Sequence, residues 1–172
     1  MNFEAKIDKS VFIADGAKII GNVIIGKNSS IWYNSVIRCD FKNTEIKIGE
    51  NTNIQDGSVI HVDNEGSTYI GNNVTIGHNC IIHACTIEDN CIIGMGAIIL
   101  SGATIKNNSI VGAGSLVKEN STVNEGMLTV GVPAKTVKEV SAKSKSYIKT
   151  LAEEYVEFSE KHKEGKFPIV KG

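Results

Sequence analysis

The chain has 172 residues, which fits a single domain of ordinary size. Its 18 basic and 19 acidic residues leave a net charge of −1, which excludes the strongly basic surface expected of a nucleic-acid or membrane-surface protein. No apolar run approaches the roughly 20 residues of a membrane span, and the N-terminal residues lack a secretory pattern, so we expect a cytoplasmic protein. The 4 cysteines form no CxxC pair and are expected to be free core side chains.

Aliphatic residues recur every six positions along most of the chain. The series has two longer steps and one step of five, and it consists of Ile13, Ile19, Ile25, Ile31, Ile37, Ile48, Ile54, Ile60, Ile70, Ile76, Ile82, Ile87, Ile93, Ile99, Ile105, Val111, Val117 and Val123. A period of six fits neither an α-helix nor a simple alternating strand. It fits a parallel β-helix, in which three short strands make one triangular coil. The repeat predicts an all-β coil over about residues 11–130, within a domain that we bound at residues 1–135.

A second pattern follows the repeat. Residues 131–135 have the sequence Gly-Val-Pro-Ala-Lys, which resembles the segment that ends many hexapeptide-repeat β-helices and so implies the exit of the chain from the coil. Apolar residues at three- and four-residue spacing then predict one amphipathic helix, from an N-cap at about Ser141 to about His162. We expect residues 136–172 to form this helix and a tail that packs on the β-helix.

Three of the histidines lie close together in the repeat. His61 follows Ile60 and His83 follows Ile82, so both hold the same repeat position, one coil apart. Adjacent strands lie about 4.8 Å apart, so two stacked imidazoles can share one metal ion. His78 lies on another side of the prism, from which a three-fold partner can supply it. This placement predicts a homotrimer with metal sites at its interfaces; the alternative is three unrelated surface histidines.

Two further motifs extend this pattern. Arg38 follows one repeat isoleucine and Gln55 follows another, and we assign both to the side that carries His78. Arg-Cys-Asp at residues 38–40, Asn-Ile-Gln-Asp-Gly at residues 53–57 and the His78-x4-His83 pair together resemble the motifs of the gamma-class carbonic anhydrases, which are hexapeptide-repeat proteins.

The resemblance carries specific implications. It implies a left-handed parallel β-helix with a C-terminal α-helix, assembled as a homotrimer. It implies that His61, His78 and His83 bind zinc at the subunit interface. It further implies that Arg38 and Asp40 pair across that interface and that Gln55 orients the metal-bound water.

The expected chemistry follows from this ligand set. Three imidazoles leave a fourth position open to water, which zinc activates for attack on carbon dioxide to give bicarbonate. An imidazole site also accepts Fe²⁺ or Co²⁺. The chain departs from the best-characterised members because its connection at residues 62–66 replaces a long acidic loop, leaving Glu65, Tyr147 or Tyr155 as weak candidates for proton transfer. We therefore expect modest hydration activity.

Two other functions stay open at this stage. One is a hexapeptide-repeat acyltransferase that uses acetyl-coenzyme A, because such enzymes share the coil and its exit segment. The other is a non-catalytic metal-binding trimer. Fold alone does not separate these functions.

Overall fold

The computed structural model describes residues 4–170 and shows a left-handed parallel β-helix with one C-terminal helix, as the repeat and the resemblance predict. The strands in chain order are β1 (Lys6–Ile7), β2 (Phe12–Ile13), β3 (Lys18–Gly21), β4 (Val23–Ile25), β5 (Ser30–Ile31), β6 (Val36–Cys39), β7 (Ile46–Ile48), β8 (Asn53–Ile54), β9 (Val59–His61), β10 (Thr68–Ile70), β11 (Thr75–Ile76), β12 (Ile81–His83), β13 (Thr86–Ile87), β14 (Ile92–Ile93), β15 (Ile98–Ile99), β16 (Thr104–Ile105), β17 (Ile110–Val111), β18 (Leu116–Val117), β19 (Thr122–Val123), β20 (Met127–Gly131) and β21 (Ala134–Glu139).

Three sheets form the sides of the prism. Sheet A runs β1-β4-β7-β10-β13-β16-β19, sheet B runs β2-β5-β8-β11-β14-β17-β20-β21, and sheet C runs β3-β6-β9-β12-β15-β18. Each strand pairs in parallel with the strand one coil away, except that β21 turns back antiparallel on β20. The exit segment predicted at residues 131–135 therefore forms the turn of a terminal hairpin.

From Ile25 onward the repeat isoleucines fill the interior of the prism, whereas Ile13 on the first coil is 43% exposed. In sheet B, for example, Ile31, Ile54, Ile76 and Ile93 lie in register on successive coils and are fully buried. Burying one such side chain contributes about 1.5–3 kcal/mol, so the stacked column is the main source of the fold's stability. The backbone crowds the corners: a Cβ added at Gly94 would lie 2.5 Å from the backbone nitrogen of the next coil.

An asparagine ladder closes the corner between sheets A and B. Asn28, Asn51, Asn73 and Asn90 adopt positive φ there, a conformation that asparagine tolerates better than most residues. Their side-chain amides hydrogen bond from one coil to the next, each at 3.2 Å. The ladder thus satisfies polar groups at each corner while it holds successive coils in register.

The helix α1 (Ala142–Lys163) covers sheet B. The Ser141 side chain caps its first turn by accepting a hydrogen bond from the backbone N–H of Ser144. Ile148 and Ala152 are buried against strands of sheet B, and His162 at the other end packs among aromatic rings, including Trp32. Among residues 4–170, no helix has the length and apolarity that crossing a membrane requires.

The outer faces of the other two sheets differ in polarity. Facing outward in register on sheet A are Lys47, Tyr69, Thr86, Thr104 and Thr122. Facing outward in register on sheet C are Val36, Val59, Ile81, Ile98 and Leu116, which we call the aliphatic column of sheet C. All five members of this column are exposed or partly exposed in the single chain.

Candidate metal centre

Two histidines end neighbouring strands of sheet C. The parallel register of β9 and β12 sets His61 directly opposite His83, as their shared repeat position predicts. Nδ1 of His61 lies 3.3 Å from Nε2 of His83, and the ring centroids are 5.3 Å apart. Two nitrogens that bind one tetrahedral zinc at about 2.0–2.1 Å lie about 3.4 Å from each other. The facing nitrogens therefore have the spacing of two ligands on one metal ion.

Asp40 holds the outer nitrogen of His61. Its Oδ1 accepts a hydrogen bond from Nε2 of His61 at 3.1 Å, and its Oδ2 pairs with Arg38. The hydrogen bond with His61 is the main cause that lowers the pKa of Asp40; the bond from Arg38 lowers it further, while partial desolvation opposes both. Arg38 and Asp40 form an ion pair within the single chain, and their pairing across a subunit interface stays a prediction.

The predicted side of the prism for Arg38 is wrong. Arg38 belongs to sheet C, in register with His61, and not to the side of Gln55 and His78. The sequence assignment assumed that the 11 residues from Ile37 to Ile48 contain an additional strand, which would form one more side of the prism. The structure has a turn at residues 41–43 there and no strand.

His78 lies at the opposite edge of sheet C. It follows β11, at the corner where the chain passes from sheet B to sheet C, whereas His61 and His83 lie at the corner that leads on to sheet A. Nδ1 of His78 lies 2.8 Å from Oδ2 of Asp56, an ion-pair distance, and Nε2 is the ring nitrogen on the side away from that carboxylate. Sequence reasoning missed this role of Asp56. The signal was present in the repeat, because Asp56 and His78 hold the same position in successive coils.

Gln55 is held by a short chain of hydrogen bonds. The residue is only 5% exposed, and together with His78 it lines a cavity of about 310 Å³ between sheet B and α1. Its carboxamide nitrogen donates to Oδ1 of Asn53 at 3.0 Å, and Asn53 donates to Thr75 at 2.9 Å. One N–H and the carbonyl oxygen of Gln55 stay available to a ligand.

The outer nitrogen of His83 meets a second polar group. Nδ1 of His83 lies 2.9 Å from Oγ of Ser101 on the next coil, and Ser101 lines a cavity together with Asp63. The carboxylate of Asp63 accepts hydrogen bonds from the backbone N–H groups of Glu65 and Gly66. Burial raises the pKa of Asp63, but these two bonds and one with the Ser101 hydroxyl bring it below its ordinary value.

The donor chemistry of these residues fits a transition metal. Within residues 4–170 of one chain, no three His, Cys, Asp or Glu side chains converge as a metal site. One edge of sheet C offers two imidazole nitrogens at ligand spacing, and the other edge offers one. Imidazole is a suitable ligand for zinc, iron and cobalt. The cysteines are buried, and burial raises the pKa of Cys85 and of Cys91 to about 12, so these two thiols are core groups.

Comparison with known proteins identifies the family. The chain is 51% identical to a probable carbonic anhydrase of Methanocaldococcus jannaschii over 154 residues, which cover 90% of this chain and 96% of the relative. The chain belongs to the gamma-class carbonic anhydrase-like family of hexapeptide-repeat proteins. A carbonic anhydrase of Geobacillus kaustophilus is 44% identical over 92% of this chain and 86% of the relative.

Other relatives of this family are longer than the chain. Gamma carbonic anhydrase 2, a mitochondrial protein of Arabidopsis thaliana, is 42% identical over 91% of this chain, and the chain spans 58% of its length. The family model of the bacterial transferase hexapeptide, which has six repeats, matches residues 4–39 and 84–119.

Solved structures similar to this family member carry transferase names. A Bacillus cereus protein described as a candidate acetyltransferase superposes with a TM-score of 0.91 at 38% identity, over 94% of this chain and 92% of that one. An N-acyltransferase of Bacillus cereus, solved with coenzyme A, superposes with a TM-score of 0.69 at 21% identity, over 90% of this chain and 91% of that one. The second likeness shows the shared fold alone.

Proposed function

We propose that the protein is a zinc-dependent carbonic anhydrase that hydrates carbon dioxide to bicarbonate as a homotrimer. The observation that carries this proposal is the pair of facing nitrogens of His61 and His83, 3.3 Å apart at one edge of sheet C, with His78 at the other edge. The relatives named carbonic anhydrase support the same activity.

The outer faces of the prism favour sheet C as the subunit interface. Helix α1 already covers sheet B, and sheet A faces outward with mostly polar residues. The aliphatic column of sheet C has no cover in the single chain, and a second copy of the chain would bury it. Packing three copies with sheet C toward a three-fold axis brings the His78 edge of one copy against the His61 and His83 edge of its neighbour. One arrangement thus buries the apolar face and completes three metal sites.

The metal ligands are His61 and His83 of one subunit and His78 of its neighbour. Asp40 Oδ1 accepts a hydrogen bond from Nε2 of His61, and Asp56 Oδ2, 2.8 Å from Nδ1 of His78, favours the proton on that nitrogen. Each carboxylate therefore leaves the opposite ring nitrogen of its histidine as a lone-pair donor. Zinc held by three imidazoles supplies the Lewis acidity that lowers the pKa of a coordinated water to about 7. Fe²⁺ and Co²⁺ suit the same donors. Of these metals, we propose zinc for the purified protein.

Gln55, Arg38 and Asp40 assist from around the ligands. The fixed carboxamide of Gln55, with one N–H and its carbonyl oxygen free beside His78, orients the reacting oxygen. Asp40 sets the ring position of His61, and Arg38 holds Asp40 through their ion pair. Arg38 therefore acts through Asp40, and both residues lie at the edge of sheet C that carries His61 and His83.

Proton release limits the expected turnover. The connection after β9 carries one exposed acidic residue, Glu65, in place of a long acidic loop. Hydration releases one proton for each bicarbonate formed, and the nearby carboxylates of Asp40 and Asp56 are engaged by His61 and His78, so without an acidic loop the site transfers that proton slowly to buffer. We propose measurable but modest hydratase activity.

Acyl transfer from acetyl-coenzyme A is a second candidate, because solved structures at 38% and 43% identity carry transferase names. The cavity beside His78 offers little support for it. None of its lining residues is lysine or arginine, the residues that usually bind the phosphates of coenzyme A. An acyltransferase also has no use for two histidines stacked at ligand spacing.

Assays on zinc-loaded full-length protein test the proposal. Stopped-flow hydration of carbon dioxide with a pH indicator is expected to exceed buffer and to disappear after chelation, while acetyl-coenzyme A is not consumed with amine or hydroxyl acceptors. Protein with full zinc content and no hydration above buffer would overturn the proposal and leave a non-catalytic metal-binding trimer. Consumption of acetyl-coenzyme A would instead establish the transferase.

A further inference from the structure

The cavity between sheet B and α1 is a groove that crosses three coils, and we call it the α1 groove. Its floor is backbone at Gly77 and Gly94, which follow the inward isoleucines of two successive coils and carry no side chain. Gln55 holds the same position one coil earlier and closes that end with its carboxamide. Because neighbouring coils lie about 4.8 Å apart, the floor extends about 10 Å from Gln55 to Gly94.

Helix α1 supplies one wall of the α1 groove. Tyr147, Leu151 and Tyr155 follow each other at four-residue spacing, about 6 Å per step along the helix, and all three line the cavity. Tyr155 lies at the Gln55 end, because its ring centroid is 5.5 Å from that of Trp32, which lies one coil before Gln55. The helical wall is therefore about 12 Å long and runs beside the whole floor.

The two ends of the α1 groove differ in polarity. At one end Gln55 has one N–H and its carbonyl oxygen available, and the Thr75 hydroxyl, which accepts a hydrogen bond from Asn53, has its own hydrogen to donate. The side chains that line the rest of the groove are mostly apolar, and they include Ile92, Met95, Ala113 and Leu151. A ligand with a polar head and an apolar chain therefore matches both ends.

The charge around the α1 groove favours a neutral head. Among the described residues that line it there is no lysine or arginine, and the carboxylate of Asp56 lies at the same edge, 2.8 Å from Nδ1 of His78. A carboxylate ligand would find no lysine or arginine to offset its desolvation, whereas the carbonyl oxygen of an amide or ester accepts from Gln55 and Thr75.

The size of the α1 groove exceeds what carbon dioxide needs. Its volume of about 310 Å³ falls at the lower end of the range of about 300–1,000 Å³ that is typical of sites for small organic molecules. Met95 and Tyr147 are more than half exposed and form the rim. The groove therefore has room for a short alkyl chain between its floor and α1.

We infer that the α1 groove binds a small neutral acyl compound, an amide or ester, with its carbonyl at Gln55 and Thr75 and its alkyl chain along Gly77 and Gly94. The inference rests on the proposed function in that Gln55 and His78 belong to the proposed metal centre, and it extends the ligands of that centre beyond carbon dioxide. All residues that line the groove belong to one chain, so binding itself requires neither the metal nor the trimer.

Titration of the full chain with acetamide, butyramide and hexanamide, with and without zinc, tests the inference. The backbone amide NMR signals of Gly77 and Gly94 are expected to shift, and the affinity is expected to rise about fourfold for each added methylene that is buried. Hexanoate is expected to bind the metal-free chain more weakly than hexanamide. Affinity that does not depend on chain length, shifts confined to other residues, or tighter binding of hexanoate overturns the inference.

Two variants separate the ends of the groove. Ala113→Phe fills the apolar end and is expected to remove the gain from butyramide to hexanamide while acetamide binds as before. Gln55→Ala is expected to weaken all three amides alike, about 2- to 10-fold, because each loses the same hydrogen bond. Thr122→Phe, at an exposed position on sheet A, is the matched control. An Ala113→Phe protein that keeps the full gain, or a Thr122→Phe protein that loses it, overturns the inference.

Hydration of carbon dioxide, measured on the same zinc-loaded protein, separates this inference from the proposed function. Amide binding that depends on chain length, without hydration, supports the inference and overturns only the proposed catalytic function. Hydration together with amide affinities that do not depend on chain length overturns the inference alone.

Discussion

Replacing Ile81 with aspartate is the sharpest test of the trimer. Ile81 is the central member of the aliphatic column of sheet C and is 43% exposed in the single chain. Burying a whole isoleucine side chain contributes about 1.5–3 kcal/mol, so burying this exposed part contributes about 0.6–1.3 kcal/mol per subunit and about 2–4 kcal/mol per trimer. That loss alone weakens assembly about 30- to 900-fold. The new carboxylate adds a desolvation cost of several kcal/mol in each subunit.

Light scattering on zinc-loaded protein at micromolar concentration measures this effect. The unmodified protein is expected at three times the chain mass of 18.5 kDa, and Ile81→Asp at the chain mass itself. The variant is also expected to lose zinc, because separation removes His78 from the neighbouring His61 and His83. Tyr69→Asp is the matched control, since Tyr69 is 40% exposed but lies on sheet A. A trimeric Ile81→Asp protein, or a trimer lost equally in Tyr69→Asp, would refute the assignment of sheet C as the interface.

Three further predictions follow from the site and the coil. His83→Ala is expected to lower zinc content by more than half while Cys85→Ala keeps it, since only the histidine faces outward; metal analysis with the reverse result would contradict the ligand set. Gln55→Ala is expected to retain trimer and zinc but to lower hydration per bound zinc about 10- to 100-fold, and an unchanged ratio would remove its catalytic role. Gly94→Ala is expected to cost about 3 kcal/mol because the added Cβ meets backbone at 2.5 Å. Gly96→Ala, with positive φ but open space, should cost only about 1 kcal/mol, so equal losses in urea unfolding would contradict the packing argument.

The period of the sequence determined the fold and one edge of the site. In a prism whose sides are six residues long, every position has a defined side, so a repeat of isoleucines specifies the interior without knowledge of any distant contact. The same counting predicted that His61 and His83 stack on adjacent coils, because the coil between them has one short insertion and its three sides are recognisable in the sequence. The sequence also predicted the helix, from Ser141 as its N-cap and from the spacing of its apolar residues.

Tertiary structure decided what the corners and loops do. An 11-residue step accommodates either a loop or a further side, and spacing alone does not distinguish them; the turn at residues 41–43 places Arg38 beside His61. The partners of the outer imidazole nitrogens, Asp56 and Ser101, come from neighbouring coils, and their side-chain directions depend on corner conformations that the repeat does not specify. The packing of α1 on sheet B also decides which outer faces of the prism remain exposed in the single chain. The physical reason is that interior positions are set by a periodic demand for burial, whereas corners, loops and the docked helix follow from local backbone geometry and three-dimensional neighbours.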